Sequence, residues 1–87
     1  MSAIIFVLDV EEFAPLVRCA RAMPHVSVSG PHDGYLRIAS ALPLEFNRKQ
    51  LGFKPAVWYG ALTGGLVGRI TEFSRDTLRI EGNLHEN

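Results

Sequence analysis

The sequence predicts one small α+β domain, and three features of its 87 residues support that prediction. The first is a continuous apolar run, Ala3 to Leu8, which is typical of a strand buried on both faces. The second is a pair of segments in which apolar and polar residues alternate on either side of a turn-forming sequence. The third is a charge-free segment, Pro55 to Gly68, that begins like a helix.

Helix signals follow the first predicted strand. Asp9 is a residue type favoured at a helix N-cap, and Glu12, three residues later, completes a capping-box pattern. The apolar residues that recur at helical spacing predict the core-facing side: Phe13, Leu16, Val17 and Ala20. The sequence therefore predicts a helix that follows Asp9, runs to about Met23 and ends before Pro24.

The next segment has the pattern of a β-hairpin. Residues 25–29 and 35–39 each alternate between apolar and polar side chains, and the sequence Gly30-Pro31-His32-Asp33-Gly34 between them has turn composition. Residues 41–54 leave two interpretations open. Leu44 and Phe46 alternate with polar residues as in a short strand, whereas Gln50-Leu51-Gly52 suits the end of a helical turn.

The C-terminal part is predicted as a helix and a second hairpin. The helix covers residues 55–64, and strands at Val67–Phe73 and Thr77–Ile80 flank a turn, with Gly68 as a possible bulge. We expect one domain over residues 1–82 and a flexible tail over 83–87.

The predicted order is strand, helix, strand, strand, helix, strand, with an additional C-terminal strand. This order resembles the ferredoxin-like βαββαβ fold, in which helices pack on one face of a mainly antiparallel sheet. The first strand is central in that fold, and one sheet face has no helices. The side chains of the first run form two apolar sets, Ile5 and Val7 against Ile4, Phe6 and Leu8. We therefore expect a second copy, the additional strand or another protein to cover the open face.

Charge and cysteine content narrow the function classes. Nine basic residues balance nine acidic ones, which argues against nucleic acid or an anionic membrane as a partner. The charge-free segment is shorter than the roughly 20 apolar residues that a membrane-spanning helix needs. Cys19 is the only cysteine, so an intrachain disulfide is excluded and a cytoplasmic location is expected. His32 and Asp33 provide too few ligands for a metal site, and no cofactor is predicted.

The polar side of the first hairpin provides one set of candidate site residues. His25, Ser27, Tyr35 and Arg37 are placed on one face, where Arg37 would bind a carboxylate and Tyr35 would offer a hydroxyl and a ring. His25 and Tyr35 are the weak acid–base candidates. The competing interpretation is an ordinary solvated strand face.

Two further segments supply candidates. Arg48 belongs to a basic cluster that Phe46 and Phe53 would frame as an anion-binding groove, with a solvated surface as the alternative. The helix at 55–64 is predicted to pack in the core and to contact a second copy or, alternatively, to line a ligand pocket that includes Tyr59. The predicted interface residues are Trp58, Tyr59, Gly60 and Thr63.

These observations favour a non-catalytic accessory or regulatory domain that forms a homodimer and binds a protein partner through an uncovered apolar surface. Two other classes stay open. One is a dimeric ferredoxin-like isomerase, cyclase or cofactor-free oxygenase that acts on a small aromatic or lactone substrate in a cleft lined by Phe53, Trp58 and Tyr59. The other is a sensor that binds a small organic carboxylate through Arg37 or Arg48. The balance leans against an enzyme because no convincing catalytic set is present.

Overall fold

The computed structural model describes residues 2–82, which fold into two antiparallel sheets with three short helices. The elements follow one another as β1 (Ala3–Leu8), α1 (Ala14–Arg21), β2 (Val26–His32), β3 (Tyr35–Ser40), β4 (Leu44–Asn47), α2 (Arg48–Leu51), α3 (Pro55–Tyr59), β5 (Leu66–Val67), β6 (Arg69–Phe73) and β7 (Thr77–Glu81). Sheet A has the strand order β2-β3-β1-β5, and sheet B has the order β4-β7-β6. The predicted tail at 83–87 lies outside the described residues.

Sheet A confirms the predicted fold class and the central position of the first strand. Strand β1 lies between β3 and β5, where Ile5 pairs with Ile38 on one side and Leu66 on the other. One face of β1 is buried in the same core cluster as Leu16 and Ala20 of α1, so the helix covers that face. The opposite face of sheet A carries no helix among the described elements.

The predicted capping box is absent, and the first helix starts later than expected. Glu11–Phe13 form a single 3-10 turn, α1 begins at Ala14, and neither start has a side-chain cap. The backbone N–H of Asp9 instead donates to the carbonyl of Gly34 at 2.9 Å, which ties Asp9 to the β2–β3 turn. Pro15 fixes a helical φ in the first turn, where a missing N–H costs nothing, so the α-helix starts there.

Residues 41–54, for which the sequence allowed either a short strand or a helical turn, contain both. β4 pairs with β7, and α2 follows it immediately. The side chain of Asn47 caps α2 by accepting a hydrogen bond from the backbone N–H of Gln50 at 3.0 Å. Gly52 ends the helix with φ of 74°, a left-handed conformation that favours glycine.

Gly68 separates the two sheets, so the predicted strand at 67–73 is in fact two strands. Its φ is 133°, and a Cβ at this position would collide with the backbone carbonyl of Glu81. The chain therefore leaves sheet A at Val67 and enters sheet B at Arg69. As a result the additional C-terminal strand, β7, pairs with β4 and β6 and covers no part of sheet A.

Trp58 lies in the core that joins the two sheets. Its side chain is fully buried, its Nε1–H donates to the carbonyl of Ser74 at 2.9 Å, and its ring meets Phe73 edge to face at 5.9 Å. The predicted helix at 55–64 is regular only as far as Tyr59 and continues as turns. Within residues 2–82, none of the helices has the length and apolar character needed to cross a bilayer.

Candidate functional site

The helix-free side of sheet A is the first feature of interest. We call it the open face and define it by the side chains that alternate away from the core: Ile4, Phe6, Ser27, Ser29, Arg37, Ala39 and Val67. The strand register places these residues in adjacent rows. Phe6 and Ser29 both pair with Arg37, and Ala39 pairs with Ile4. The side chains therefore form one continuous surface across four strands.

The open face has an apolar centre and a polar edge. Ile4 and Phe6 on the central strand are half-buried, and Val67 on β5 is 45% exposed. The β2 edge carries serines instead. A continuous apolar surface rimmed by polar groups is typical of a binding surface for another molecule.

A cavity of about 420 Å³ lies at one end of the open face, next to the β2–β3 turn. We call it the hairpin pocket, and its principal lining side chains are Phe6, Ser29, His32, Asp33, Tyr35 and Arg37. Gly64 closes one side, because a Cβ there would collide with the backbone carbonyl of Phe6 and the ring of Tyr35. The absence of a side chain at Gly64 therefore lets the loop after α3 lie against the sheet.

The charged side chains of the hairpin pocket differ in whether another side chain lies close enough to pair with them. The guanidinium of Arg37 is exposed and has no hydrogen bond or ion pair with any group in residues 2–82. The carboxylate of Asp33 lies 3.4 Å from His32 Nε2, and both side chains are close to 90% exposed. Within the described part of the chain, the pocket thus presents Arg37 without a partner beside Asp33, which His32 contacts.

A second cavity, of about 370 Å³, lies between α1 and the β2–β3 turn. Its charged lining consists of Asp9, Glu11, Arg18 and Arg21. This lining has two acids and two bases but no aromatic side chain, so the cavity offers no flat apolar surface and is the weaker candidate.

The structure brings together two of the residues predicted on the first hairpin and separates a third. Tyr35 and Arg37 both line the hairpin pocket. His25 lies in the exposed turn before β2, beside the end of β3 that pairs with Val26. Tyr35 is at the other end of β3, five residues from Ser40, the residue that pairs with Val26. Five residues correspond to roughly 17 Å along a strand. The two weak acid–base candidates therefore lie apart, and of the two Tyr35 alone lines the hairpin pocket.

Arg48, predicted as a ligand clamp, is engaged in hydrogen bonds within the chain. Its Nε donates to the carbonyl of Arg75 at 2.9 Å, one terminal nitrogen to the carbonyl of Phe53 at 2.9 Å, and the other to Asp76 Oδ1 at 3.0 Å. The side chain is only 13% exposed. All three guanidinium nitrogens are engaged, and the group joins α2 to the β6–β7 turn.

The predicted interface residues of the charge-free segment are divided between core and surface. Trp58 is fully buried, and its ring lies in the core rather than at the surface. Tyr59 is 52% exposed and packs on Phe73 with ring centroids 5.5 Å apart. Thr63 is exposed, and its hydroxyl donates to the carbonyl of Gly60 at 3.0 Å. Tyr59 and Thr63 thus stay candidates for a surface contact.

The predicted catalytic cleft is filled by core. Phe53 is 5% exposed and stacks edge to face with Phe13 at 6.1 Å, and Trp58 is buried beside it in the same cluster. Sequence reasoning missed Phe6, Ser29 and Gly64 as pocket residues. Gly64 ends the predicted helix at 55–64, and the signal that could have marked it is that glycine permits close backbone approach.

Comparison with known proteins shows a shared fold. No protein-family model and no curated protein matches the sequence. Among solved structures, the chain is similar to the regulatory protein in the structure of a phenol hydroxylase–regulatory protein complex. The two superpose with a TM-score of 0.76 at 16% sequence identity, and the match covers 95% of this chain and 100% of the other.

Proposed function

We propose that this chain is a small non-catalytic regulatory protein that binds a larger enzyme of the hydroxylase type through the open face of sheet A. The observation that carries the proposal is the end-to-end structural likeness to a regulatory protein that was solved in complex with phenol hydroxylase. A likeness over 95% of this chain leaves little room for an added catalytic region within it.

The chemistry of the described residues supports a binding role. The weak catalytic candidates His25 and Tyr35 lie at opposite ends of β3, and the predicted substrate cleft is packed core. The open face, by contrast, leaves Val67 exposed and Ile4 and Phe6 only half-buried. Removing such surface from water contributes about 25 cal/mol per Å².

The size of the open face indicates how far the contact extends. Four strands at about 4.8 Å spacing and about 3.4 Å per residue give a face of roughly 350 Å². A specific interface covers about 800 Å² on each partner. The contact must therefore continue beyond the open face, and two exposed apolar residues, Leu42 at 50% and Ile70 at 47% exposure, each follow an open-face residue by three positions along the chain.

A second copy of the chain is the alternative occupant of the open face, as the predicted homodimer would require. We place the complex in the cytoplasm because the single Cys19 fits a reducing compartment. Native mass spectrometry of the untagged protein, isolated together with its hydroxylase, separates the two occupants. We expect the 9.6 kDa chain to appear bound to the larger enzyme. Multiples of 9.6 kDa alone would indicate the homodimer and contradict the proposal.

A matched pair of variants localises the contact. Val67→Asp places a charge on the open face, and Val10→Asp places the same charge beyond the end of β1, where the valine is 43% exposed compared with 45% at Val67. We expect Val67→Asp to abolish the complex and its effect on the hydroxylation rate, and Val10→Asp to preserve both. Equal behaviour of the two variants would argue against the open face, and thermal melting of each checks that it is folded.

A further inference from the structure

The hairpin pocket has the size and lining of a small-molecule site. Its volume of about 420 Å³ falls in the lower part of the range of roughly 300–1,000 Å³ that ligand pockets occupy. More of its lining is apolar than polar, with a few polar groups at the rim. A ligand the size of one ring with one substituent suits such a pocket.

Two aromatic side chains define the apolar part of the hairpin pocket. Phe6 pairs directly with Arg37, so Tyr35, two residues before Arg37, is the diagonal cross-strand neighbour of Phe6. Diagonal neighbours lie about 7–8 Å apart, within reach of aromatic side chains. Gly64 adds no side chain of its own and leaves the Tyr35 ring in place. These residues favour a flat, apolar ligand group.

The polar part of the hairpin pocket selects for one negative charge. Arg37 carries up to five N–H donors in a planar fork that matches a carboxylate, and within residues 2–82 none of them is engaged. Ser29 pairs with Arg37 across the strands and places a hydroxyl beside it. Asp33, which also lines the pocket and lies 3.4 Å from His32 Nε2, disfavours a second negative charge on the ligand.

We propose that the hairpin pocket binds a free monocyclic aromatic monocarboxylate, with the ring against Phe6 and Tyr35 and the carboxylate on Arg37. The inference rests on the pocket alone and holds whether or not the chain regulates an enzyme. It also connects to that role, because Phe6 and Arg37 belong to the open face, so an occupied pocket changes the surface that a partner would meet.

The test is an NMR and calorimetric titration of the isolated chain with benzoate. Acetate supplies the charge without the ring, benzyl alcohol the ring without the charge, and phthalate a second charge. We expect saturable binding of benzoate, shifts in the amide resonances of Phe6, Ser29, Tyr35 and Arg37, and binding of each control at least about tenfold weaker, since each lacks one interaction or adds repulsion. No saturable binding at millimolar benzoate, or equal binding of acetate, would overturn the proposal.

Two arginine variants complete the test. Arg37→Gln removes the carboxylate partner and should weaken benzoate binding by at least about tenfold, the loss of one charge-assisted contact. Arg75→Gln removes the same charge from the exposed β6–β7 turn, where only the backbone carbonyl contacts Arg48, and should leave binding unchanged. If both variants bind benzoate like the original chain, the ligand does not use Arg37 and the assignment fails. Because these measurements need no partner, their outcome is independent of the proposed regulatory function.

Discussion

The two sheets of this protein expose surfaces of different character. On sheet B, charged side chains are paired with one another: Arg79 contacts Glu45 and Glu81 at 3.0 Å, and Arg69 contacts Glu81 at 3.4 Å. On the open face of sheet A, Arg37 has no such partner among the described residues. Sheet B therefore pairs the arginines Arg69 and Arg79 with its own acids, whereas sheet A leaves the guanidinium of Arg37 unpaired among the described residues.

The electrostatics of sheet B agree with this difference. Hydrogen bonds to Glu81 and then Glu45 raise the pKa of Arg79 above its ordinary value. A raised pKa in the folded state means that the stabilisation is fully present below the ordinary pKa of arginine and is lost only as the pH rises above it. The paired surface of sheet B thus persists across the physiological pH range, as expected for a surface that faces solvent.

The comparison shows that alternation along a strand does not by itself define a binding surface. Both sheets alternate between buried residues and half-buried or exposed ones, as in β3 and β7. What distinguishes them is whether the outward side chains find partners on the neighbouring strands. The unpartnered sheet is the one to which we assign binding.

The largest effect is expected at the core that joins the sheets. Trp58→Ala removes a fully buried side chain and its hydrogen bond to Ser74, and should destabilise the protein by about 3–5 kcal/mol. Urea denaturation measures the change. Tyr59→Ala is the control, because the adjacent aromatic residue is 52% exposed and its loss should cost much less. Equal losses from the two variants would contradict the assignment of Trp58 to a shared core.

A second prediction addresses the point where the chain passes from one sheet to the other. Gly68→Ala forces a Cβ against the carbonyl of Glu81 at φ of 133°, and should cost about 2–4 kcal/mol from strain and collision. Gly65→Ala is the matched control, since its φ is 91° but no atom lies within 4 Å of the added Cβ. We expect this variant to lose only about 1 kcal/mol. Chemical denaturation gives the free energy of unfolding of both variants. The difference between them shows how much the collision adds to the cost of the positive φ.

The smallest change in stability is expected when a paired arginine, Arg48, and an unpaired one, Arg37, are each replaced by glutamine. Arg48→Gln breaks hydrogen bonds of a side chain that is only 13% exposed, and should lower stability by about 1–3 kcal/mol. Arg37→Gln should change stability by less than about 0.5 kcal/mol, because the exposed guanidinium has no partner in the described chain. Thermal melting of both variants provides the comparison. A larger loss from Arg37→Gln would mean that Arg37 is structural.

The sequence predicted features that depend on neighbours along the chain. The run from Ala3 to Leu8 is the central strand, and the alternation on either side of residues 30–34 is the first hairpin. Periodicity works here because burial repeats with the pleat of the strand. The core side of the first helix follows for the same reason, although its start moved from Asp9 to Ala14 because Pro15, rather than a side-chain cap, sets it.

The sequence did not predict the roles of residues whose partners lie far away in the chain. Arg48 looked like part of a basic surface cluster, but its partner Asp76 comes 28 residues later. The hairpin pocket needs Gly64 against Phe6, from opposite parts of the sequence. No local pattern encodes such contacts.

By itself, then, the sequence determined the α+β class, the central strand and the existence of an apolar sheet face without helices. These features follow from the spacing of apolar residues and from turn chemistry, which act over a few residues. Only the tertiary structure decided that the C-terminal strands form a separate sheet beyond Gly68 and that Trp58 belongs to the core. It also decided that Arg48 is paired whereas Arg37 has no partner among residues 2–82, because the pairing of charges depends on which distant segments meet when the chain folds.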